Sequence, residues 1–286
     1  MHRVRRDRGF CRRHWSNGRA VAASDRFYGA SLAKQFTGAA VAILVRDGRL
    51  DPDQPVAGHL SDLPLWAAGI TPRHLAHHIA GLPAGGALEA QAPGDWTEDF
   101  VSAALDALPR LVTAPATSYA YSNVGYILLA RLVERISGEP FAAFINARLL
   151  ALLGIKGMGF ARDVTAHPQV AHMGQSLPLT HGDGGLWSTS HAFALWLHQQ
   201  NLDTLGIADT VEALGRLTTG VDVPYGWGLG LRVHRGNKLL IHGGEWTGAV
   251  AKAVRCPALG IAVVAMAAGA AFETLDRLVE AALNDV

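Results

Sequence analysis

The sequence predicts an α+β fold, a mostly antiparallel sheet flanked by helices with a helical lobe inserted into it. Three observations carry that prediction. Both ends of the chain read as strands joined by short turns, the middle reads as punctuated helices, and the chain holds enough apolar residue to bury one large core: 49% of its 286 residues are hydrophobic and 17% are charged. No internal repeat or low-complexity linker divides it. We therefore expect a single unit over 1–286, with a sheet lobe from approximately 1–50 and 220–286 and a helical lobe from approximately 51–219.

The elements follow in order. Residues 1–30 read as short strands with a turn at Ser16-Asn17-Gly18. Seven arginines crowd this end, from Arg3 to Arg19, with Val4, Phe10 and Trp15 among them, as on a charged edge strand. From Ser31 the pattern turns helical, with Leu32, Phe36, Ala39, Ala40, Ile43 and Leu44 apolar and a stop near Asp47-Gly48; a helix so apolar on every side is expected to be buried. Thr71 and Pro72 open a helix expected to run to Gly81-Leu82-Pro83. Others are expected from Asp95 or Thr97, over about 123–138, from Pro140 to Gly154, and over about 190–200. After Tyr225 come four strand-like runs, "YGWGLGLRV", "NKLLIHGG", "TGAVAKAVR" and "GIAVVAMA", separated by Gly, Asn or Pro turns. An amphipathic helix over about 273–283 closes the chain.

Composition also excludes. A net charge of +1 points to no nucleic-acid partner and no anionic membrane surface. No apolar run is long enough to demand a bilayer, and the N-terminus lacks the apolar core and cleavage site of a signal peptide, so a cytoplasmic location is expected. Cys11 and Cys256 lie far apart without metal-ligand spacing and read as reduced packing residues.

Three short elements could carry chemistry. In "FYGASLAKQFTG", Lys34 stands one helical turn after Ser31, close enough for its amine to take the serine proton if burial lowers its affinity for protons. Ser31 is the only serine in the chain followed by lysine three residues later. The plain alternative is an N-cap serine beside a snorkelling lysine. In "YAYSNVGY", Tyr121 and Asn123 sit at a helix start, where a phenol and an amide can be aimed into a cleft; taken alone, a capping Asn123 and a core-filling Tyr121 are the better explanation. In "LLIHGGEWTG", a strand delivers His242-Gly243-Gly244 and then Glu245, and two glycines in a strand suit a ligand that must approach the backbone, or a bulge.

In this order, Ser-x-x-Lys, Tyr-x-Asn and His-Gly-Gly resemble the signatures of the serine beta-lactamase and penicillin-binding-protein superfamily. "ITPRHLAHHIAGLP", "YSNVGYILLARLVERISG" and "GDGGLWSTS" also resemble its segments in sequence order, and the nearest branch is the class C beta-lactamase-related group that includes the family VIII carboxylesterases. The resemblance implies a beta-lactamase/transpeptidase-like fold and a mechanism without metal or organic cofactor. It implies Ser31 as the acylated nucleophile, Lys34 as its proton partner and Tyr121 as general acid and base. Asn123, His242, Gly243, Gly244, Glu245 and Trp246 would bind substrate, and the backbone N–H groups of Ser31 and Glu245 would form the oxyanion hole. Trp187 and Trp246, each close to a motif, are expected near the substrate.

The substrate implied is a small ester or amide. His242 stands where beta-lactamases carry a lysine that helps hold the substrate carboxylate, and Glu245 adds an acid, so ester hydrolysis is expected ahead of beta-lactam hydrolysis. Acyl transfer, D-amino-acid peptidase activity and an inactive binding protein are the competing readings. The family normally has an opening helix and an extra strand before Ser-x-x-Lys, so with 30 residues before Ser31 the expectation is either a shortened sheet or a start internal to a longer gene. His74, His77 and His78, at helical spacing, could present a metal face, but no carboxylate or cysteine cluster accompanies them and a structural role is expected.

Overall fold

The structure is a computed structural model that describes residues 15–16, 19–20, 22–85, 87–92, 94–161 and 177–284. At the N-terminal end β1 (Trp15–Ser16) pairs antiparallel with β2 (Arg19–Ala20), the short hairpin expected there. Cys11 and the arginines before Trp15 lie outside the described residues. The strand β3 (Phe27–Tyr28) follows and leads into a 3₁₀ turn over Ala30–Ala33, which passes without a break into α1 (Lys34–Arg46).

The helix expected from Ser31 thus begins as a 3₁₀ turn. This matters for the Ser31–Lys34 pair, because residues three apart eclipse one another in a 3₁₀ turn more closely than in an α-helix. Every residue of α1 from Lys34 to Leu44 is buried, as its all-round apolar pattern required. The helix stops at Asp47, with Gly48 in the left-handed region.

Around α1 the helices pack in the expected order. α2 (Pro72–Ala76) has Thr71 and His74 as a reciprocal cap and Pro72 in its first position. It ends five residues before Gly81, because His78 takes φ +58° and turns the chain out of the helix. α3 (Glu98–Ala107) is capped by Thr97, whose hydroxyl accepts from the Phe100 N–H at 3.2 Å. α4 (Asn123–Ser137) ends on Gly138 at φ +78°. α5 (Phe141–Ile145) runs on through a π-helical stretch, Asn146–Leu150.

Two strands for which the sequence pattern gives no expectation follow: β4 (Met158–Phe160) and β5 (Leu186–Ser188), which form a small antiparallel sheet with β3 in the order β3-β5-β4. The run "LWS" is too short to alternate, so its pairing is decided by β3 and β4 rather than by local pattern. α6 (Ser190–Asn201), capped by Thr189, and α7 (Ala208–Val211) come next, then the two-residue strands β6 (Gly215–Arg216) and β7 (Asp222–Val223).

The main sheet is built from β8 (Gly230–His234), β9 (Asn237–Trp246), β10 (Ala249–Cys256) and β11 (Ile261–Ala268), all antiparallel, in the order β11-β10-β9-β8. These are the four runs expected after Tyr225. β8 and β9 are joined at Arg235-Gly236, both with positive φ (+48° and +77°), as a tight two-residue hairpin demands. α8 (Phe272–Asn284) covers one face of this sheet and α6 the other. Alternation along β10 serves both layers: Val254 and Cys256 pack with Val279 and Leu283 of α8, whereas Ala251 and Ala253 join the large central core around α1.

One feature of register positions the site. β8 pairs with β9 only as far as Ile241, opposite Gly230, while β10 pairs with β9 as far as Trp246. The segment His242–Trp246 therefore runs on past its neighbour, and Gly243, Gly244 and Glu245 line a cavity there. Among the described residues no helix is long and apolar enough to cross a membrane.

Candidate active site

Ser31, Tyr121, Asn123, His242, Gly243, Gly244 and Glu245 line one open cavity of about 630 Å³. Three separate stretches of chain supply them: the 3₁₀ turn before α1, the start of α4, and the overhanging end of β9.

Lys34 forms the floor. Its side chain is 0% exposed, and its Nζ lies 2.9 Å from Ser31 Oγ, 2.7 Å from Asn123 Oδ1 and 3.1 Å from the Asp183 carbonyl oxygen. An amide oxygen and a carbonyl can only accept. Two amine hydrogens therefore go to Asn123 and Asp183, and the third position of the nitrogen faces Ser31. Whether that position holds a hydrogen or the lone pair decides the direction of the Ser31 bond, which is the geometry a proton-shuttling pair requires. A snorkelling lysine is ruled out by its burial.

The Tyr121 ring centroid lies 5.0 Å from Lys34 Nζ. His78 holds this part of the site together. Its ring centroid lies 4.3 Å from that of Tyr121, the two rings tilted by 40°, its Nδ1 accepts the Ser122 N–H at 3.1 Å, and its carbonyl accepts the Ala120 N–H at 2.9 Å. The left-handed backbone that ends α2 early is what aims the ring at 120–122, and histidine is among the few residues that tolerate it. Burial, then the charge of Lys34, holds the His78 imidazole well below its ordinary range, so it is neutral.

The three neighbouring histidines are each engaged by the protein's own atoms. His74 caps α2, His77 sits between the Tyr225 carbonyl (2.8 Å) and the Trp227 indole N–H (3.1 Å), and His78 faces Ser122. Among the described residues no group of three or more His, Cys, Asp or Glu could hold a metal ion.

On the strand side, His242 is buried and committed to the protein. Its Nδ1 is 2.6 Å from the Gly243 carbonyl, which can only accept, so the proton is on Nδ1; Nε2 then accepts the Tyr225 hydroxyl at 2.8 Å. Burial, followed by the charge of Lys34, pushes this imidazole down to about 3. The position that would need a cation to grip a carboxylate is filled by a neutral ring.

The two glycines are explained by the protein's own atoms. A Cβ on Gly244 would lie 2.2 Å from the Gly29 carbonyl oxygen, and one on Gly243 would lie 2.8 Å from Cζ of Phe272. Close approach of a ligand is therefore not what demands them. Gly244 lets β9 press against the turn that carries Ser31, and Gly243 makes room for the first residue of α8. Ala30, immediately before Ser31, has φ +44°, a strained conformation for a residue with a side chain, held by this crowding.

The tryptophans stand differently from expectation. Trp187 is buried with its ring 5.3 Å from Tyr28, and Trp246, half-buried, packs on that same pair; neither is among the residues lining the cavity. In their place Tyr119, Tyr225 and Phe272 supply aromatic wall. Sequence reasoning also missed Asp183. Its carboxylate accepts the Thr180 hydroxyl at 2.7 Å and the Trp96 indole N–H at 3.1 Å, which fixes the loop whose carbonyl meets Lys34. The string "GDGGL" marks that loop, but nothing local says that its backbone faces Lys34, 149 residues away.

The likeness to known proteins agrees with this geometry. In sequence, the chain is 26% identical over 268 residues to penicillin-binding protein 4* of Bacillus subtilis, covering 80% of this chain and 58% of that protein. It is 26% identical over 273 residues to a D-aminopeptidase of Brucella anthropi (89% and 52%), and 33% identical over 187 residues to esterase EstB of Burkholderia gladioli (58% and 47%). The chain spans about half the length of the curated relatives it matches. In structure, it superposes on the D-amino acid amidase from Ochrobactrum anthropi SV3 with a TM-score of 0.78 at 22% identity, covering 94% of this chain and 89% of that one. The penicillin-binding protein homologue from Pyrococcus abyssi gives 0.76 at 23% identity, covering 93% and 67%. The sheet flanked by α6 and α8 is thus a fold shared with penicillin-binding proteins, and with the Beta-lactamase family profile matching residues 3–284, the chain belongs to the beta-lactamase family.

Proposed function

We propose that the protein is a serine hydrolase that cleaves small esters through an acyl-enzyme on Ser31. The observation that carries this reading is the enclosed Lys34 amine, with two hydrogens committed to Asn123 and Asp183 and its remaining position on Ser31 Oγ at 2.9 Å. With the lone pair in that position, Lys34 takes the Ser31 proton as Oγ attacks the ester carbonyl. The oxyanion of the tetrahedral intermediate is held by the backbone N–H groups of Ser31 and Glu245, donors of a kind that contribute about 10²–10³-fold in rate. Tyr121, its ring beside Lys34, carries the proton to the departing alkoxide. Water then attacks the acyl-enzyme, giving its proton back along the same route, and Ser31 is released.

The preference for esters over beta-lactams follows from charge. A beta-lactam presents a carboxylate, and the described residues lining the cavity offer no cation to receive it: His242 is neutral and hydrogen-bonded on both nitrogens, and Glu245 is an acid. Likeness to a protein named as an esterase supports the reading, and likeness to one named as a D-aminopeptidase keeps amide cleavage by the same acyl-enzyme as the second.

The test compares wild type with Ser31→Ala on p-nitrophenyl butyrate and on a chromogenic cephalosporin. Ester turnover by wild type alone, with slow or no cephalosporin turnover, is the expected result. Equal ester turnover by both proteins removes Ser31 from its role, and rapid cephalosporin hydrolysis overturns the preference.

A further inference from the structure

The cavity's charge and its walls point to a particular class of ester. Among the described residues that line it, Glu245 alone carries formal charge, and its side chain is exposed. Strand alternation places Glu245 on the same face of β9 as Gly243, the face on which the Phe272 ring stands. Tyr119 and Tyr225 add further aromatic surface to the cavity. Ring faces carry negative potential and attract cations, as does a carboxylate.

Among the described residues two basic side chains, Lys34 and Lys252, lie nearby, and neither is among those lining the mouth. Lys34 is sealed beneath Ser31, its nitrogen against Ser31 Oγ, Asn123 Oδ1 and the Asp183 carbonyl. Lys252, opposite Gly243 in register, is paired with Asp276 at 2.7 Å, stands 5.3 Å over the Phe272 ring and is not among the lining residues.

We propose that Glu245 is a specificity-determining residue that selects esters whose acyl chain carries an ammonium group, seated at the cavity mouth against its carboxylate while the carbonyl meets Ser31. This rests on the ester-hydrolase reading above and adds the substrate class. The acyl chain bridges from the scissile carbonyl to the rim; an ammonium bound directly beside the carbonyl would instead face Lys34.

The test uses three p-nitrophenyl esters of matched chain length: 4-(trimethylammonio)butanoate, its neutral isostere 5,5-dimethylhexanoate, and the anionic monoester of glutaric acid. Rates are divided by those with hydroxide alone to remove intrinsic reactivity. In wild type, kcat/KM is expected to favour the cationic ester over the neutral one by about three- to tenfold, the range of a partly exposed ion pair with an aromatic contact. The anionic ester is expected to be poorest. The cationic preference should shrink in 1 M salt, fall to about unity in Glu245→Gln, and invert in Glu245→Lys. A cationic-to-neutral ratio at or below unity in wild type, or one unmoved by Glu245→Gln, overturns the proposal.

A binding arm separates this from failure of the hydrolase reading. Ser31→Ala is titrated with (3-hydroxypropyl)trimethylammonium and with its neutral isostere 4,4-dimethylpentan-1-ol, followed by ligand-observed NMR. Preferential binding of the cation, lost in a Ser31→Ala/Glu245→Gln double variant, sustains the Glu245 site even if no ester is hydrolysed. Ester hydrolysis with no cation preference in either arm sustains the hydrolase and removes the site.

Discussion

The floor of the cavity and its strand wall treat polar atoms in opposite ways. At the floor, the Lys34 nitrogen has each of its three directions occupied, by Ser31, Asn123 and the Asp183 carbonyl, and the surrounding side chain is completely buried. On the wall, His242 turns both ring nitrogens back into the protein, leaving glycines and the exposed Glu245 facing the opening. On the proposed mechanism the floor serves one proton transfer, and its donors and acceptors are matched one to one. The wall is built by subtraction, from a neutral ring and two absent side chains, and on the same reading it limits what can enter. The proposed proton transfer thus lies with the turn before α1, Lys34 and the start of α4, and the proposed selectivity with the side chains of β9, whose Glu245 N–H joins the two at the oxyanion hole.

The largest effect that could break this contrast lies at the floor. Lys34→Met, close in length but without an amine, should lower kcat/KM on p-nitrophenyl butyrate by about 10³-fold or more, within the range for loss of a positioned acid–base group. Circular dichroism should report an intact fold. Loss of less than tenfold would show that Ser31 does not depend on the amine.

The contact between floor and wall gives the next effect. In Gly244→Ala the new methyl would meet the Gly29 carbonyl oxygen at 2.2 Å, so β9 must retreat from the turn that carries Ser31. A stability loss of about 1–3 kcal/mol is expected from overpacking. A fall in kcat of about 10²-fold should accompany it, the usual consequence of a shift near 1 Å between reacting groups. An unchanged kcat with an unchanged urea midpoint would mean that the two elements are not tightly held.

The wall gives the smallest effect, and it is one of pH. The His242 imidazole is pushed from 6.5 down to about 3 in the folded protein. Protons therefore bind the unfolded chain first: the stability contributed by keeping this ring neutral is complete above pH 6.5 and is lost as pH falls from there towards 3. His77, pushed down to about 4 by burial, acts in the same direction. The urea midpoint of wild type should drop between pH 7.5 and pH 5, and His242→Gln, which has no such proton to take up, should drop by less. Equal drops would contradict a neutral His242.

Much of this was legible before the structure, and the misses share a cause. The burial of α1, the Thr71 cap, the four C-terminal strands and α8 each follow from a period or a cap within a short window, and they stand where expected; of Asp95 and Thr97, both possible starts for α3, the cap is Thr97. The early end of α2 was not legible. Nothing local marks His78 for a left-handed backbone, because what holds it there is contact with residues 119–122 and with Tyr225. The same holds for Tyr225, whose hydroxyl meets His242 across β9, for the Asp183 carbonyl, and for β4 and β5, strands of three residues defined by their partners. The glycines of His-Gly-Gly were visible as special, yet the reason lies in Gly29 and Phe272, and no spacing rule brings those to β9. Motifs pointed to the residues proposed to carry chemistry; packing showed which atoms of the chain hold them.

The central claim is that Ser31, activated by Lys34, becomes acylated. The most direct measurement mixes the protein with p-nitrophenyl acetate, quenches in acid within the first turnover and maps the acetyl group by peptide mass spectrometry. The expected result is one acetyl group on the peptide containing Ser31 in wild type, much slower labelling in Lys34→Met, and none at that site in Ser31→Ala. Acetyl found only on another residue, or labelling of Ser31 at the same rate without the Lys34 amine, would contradict it.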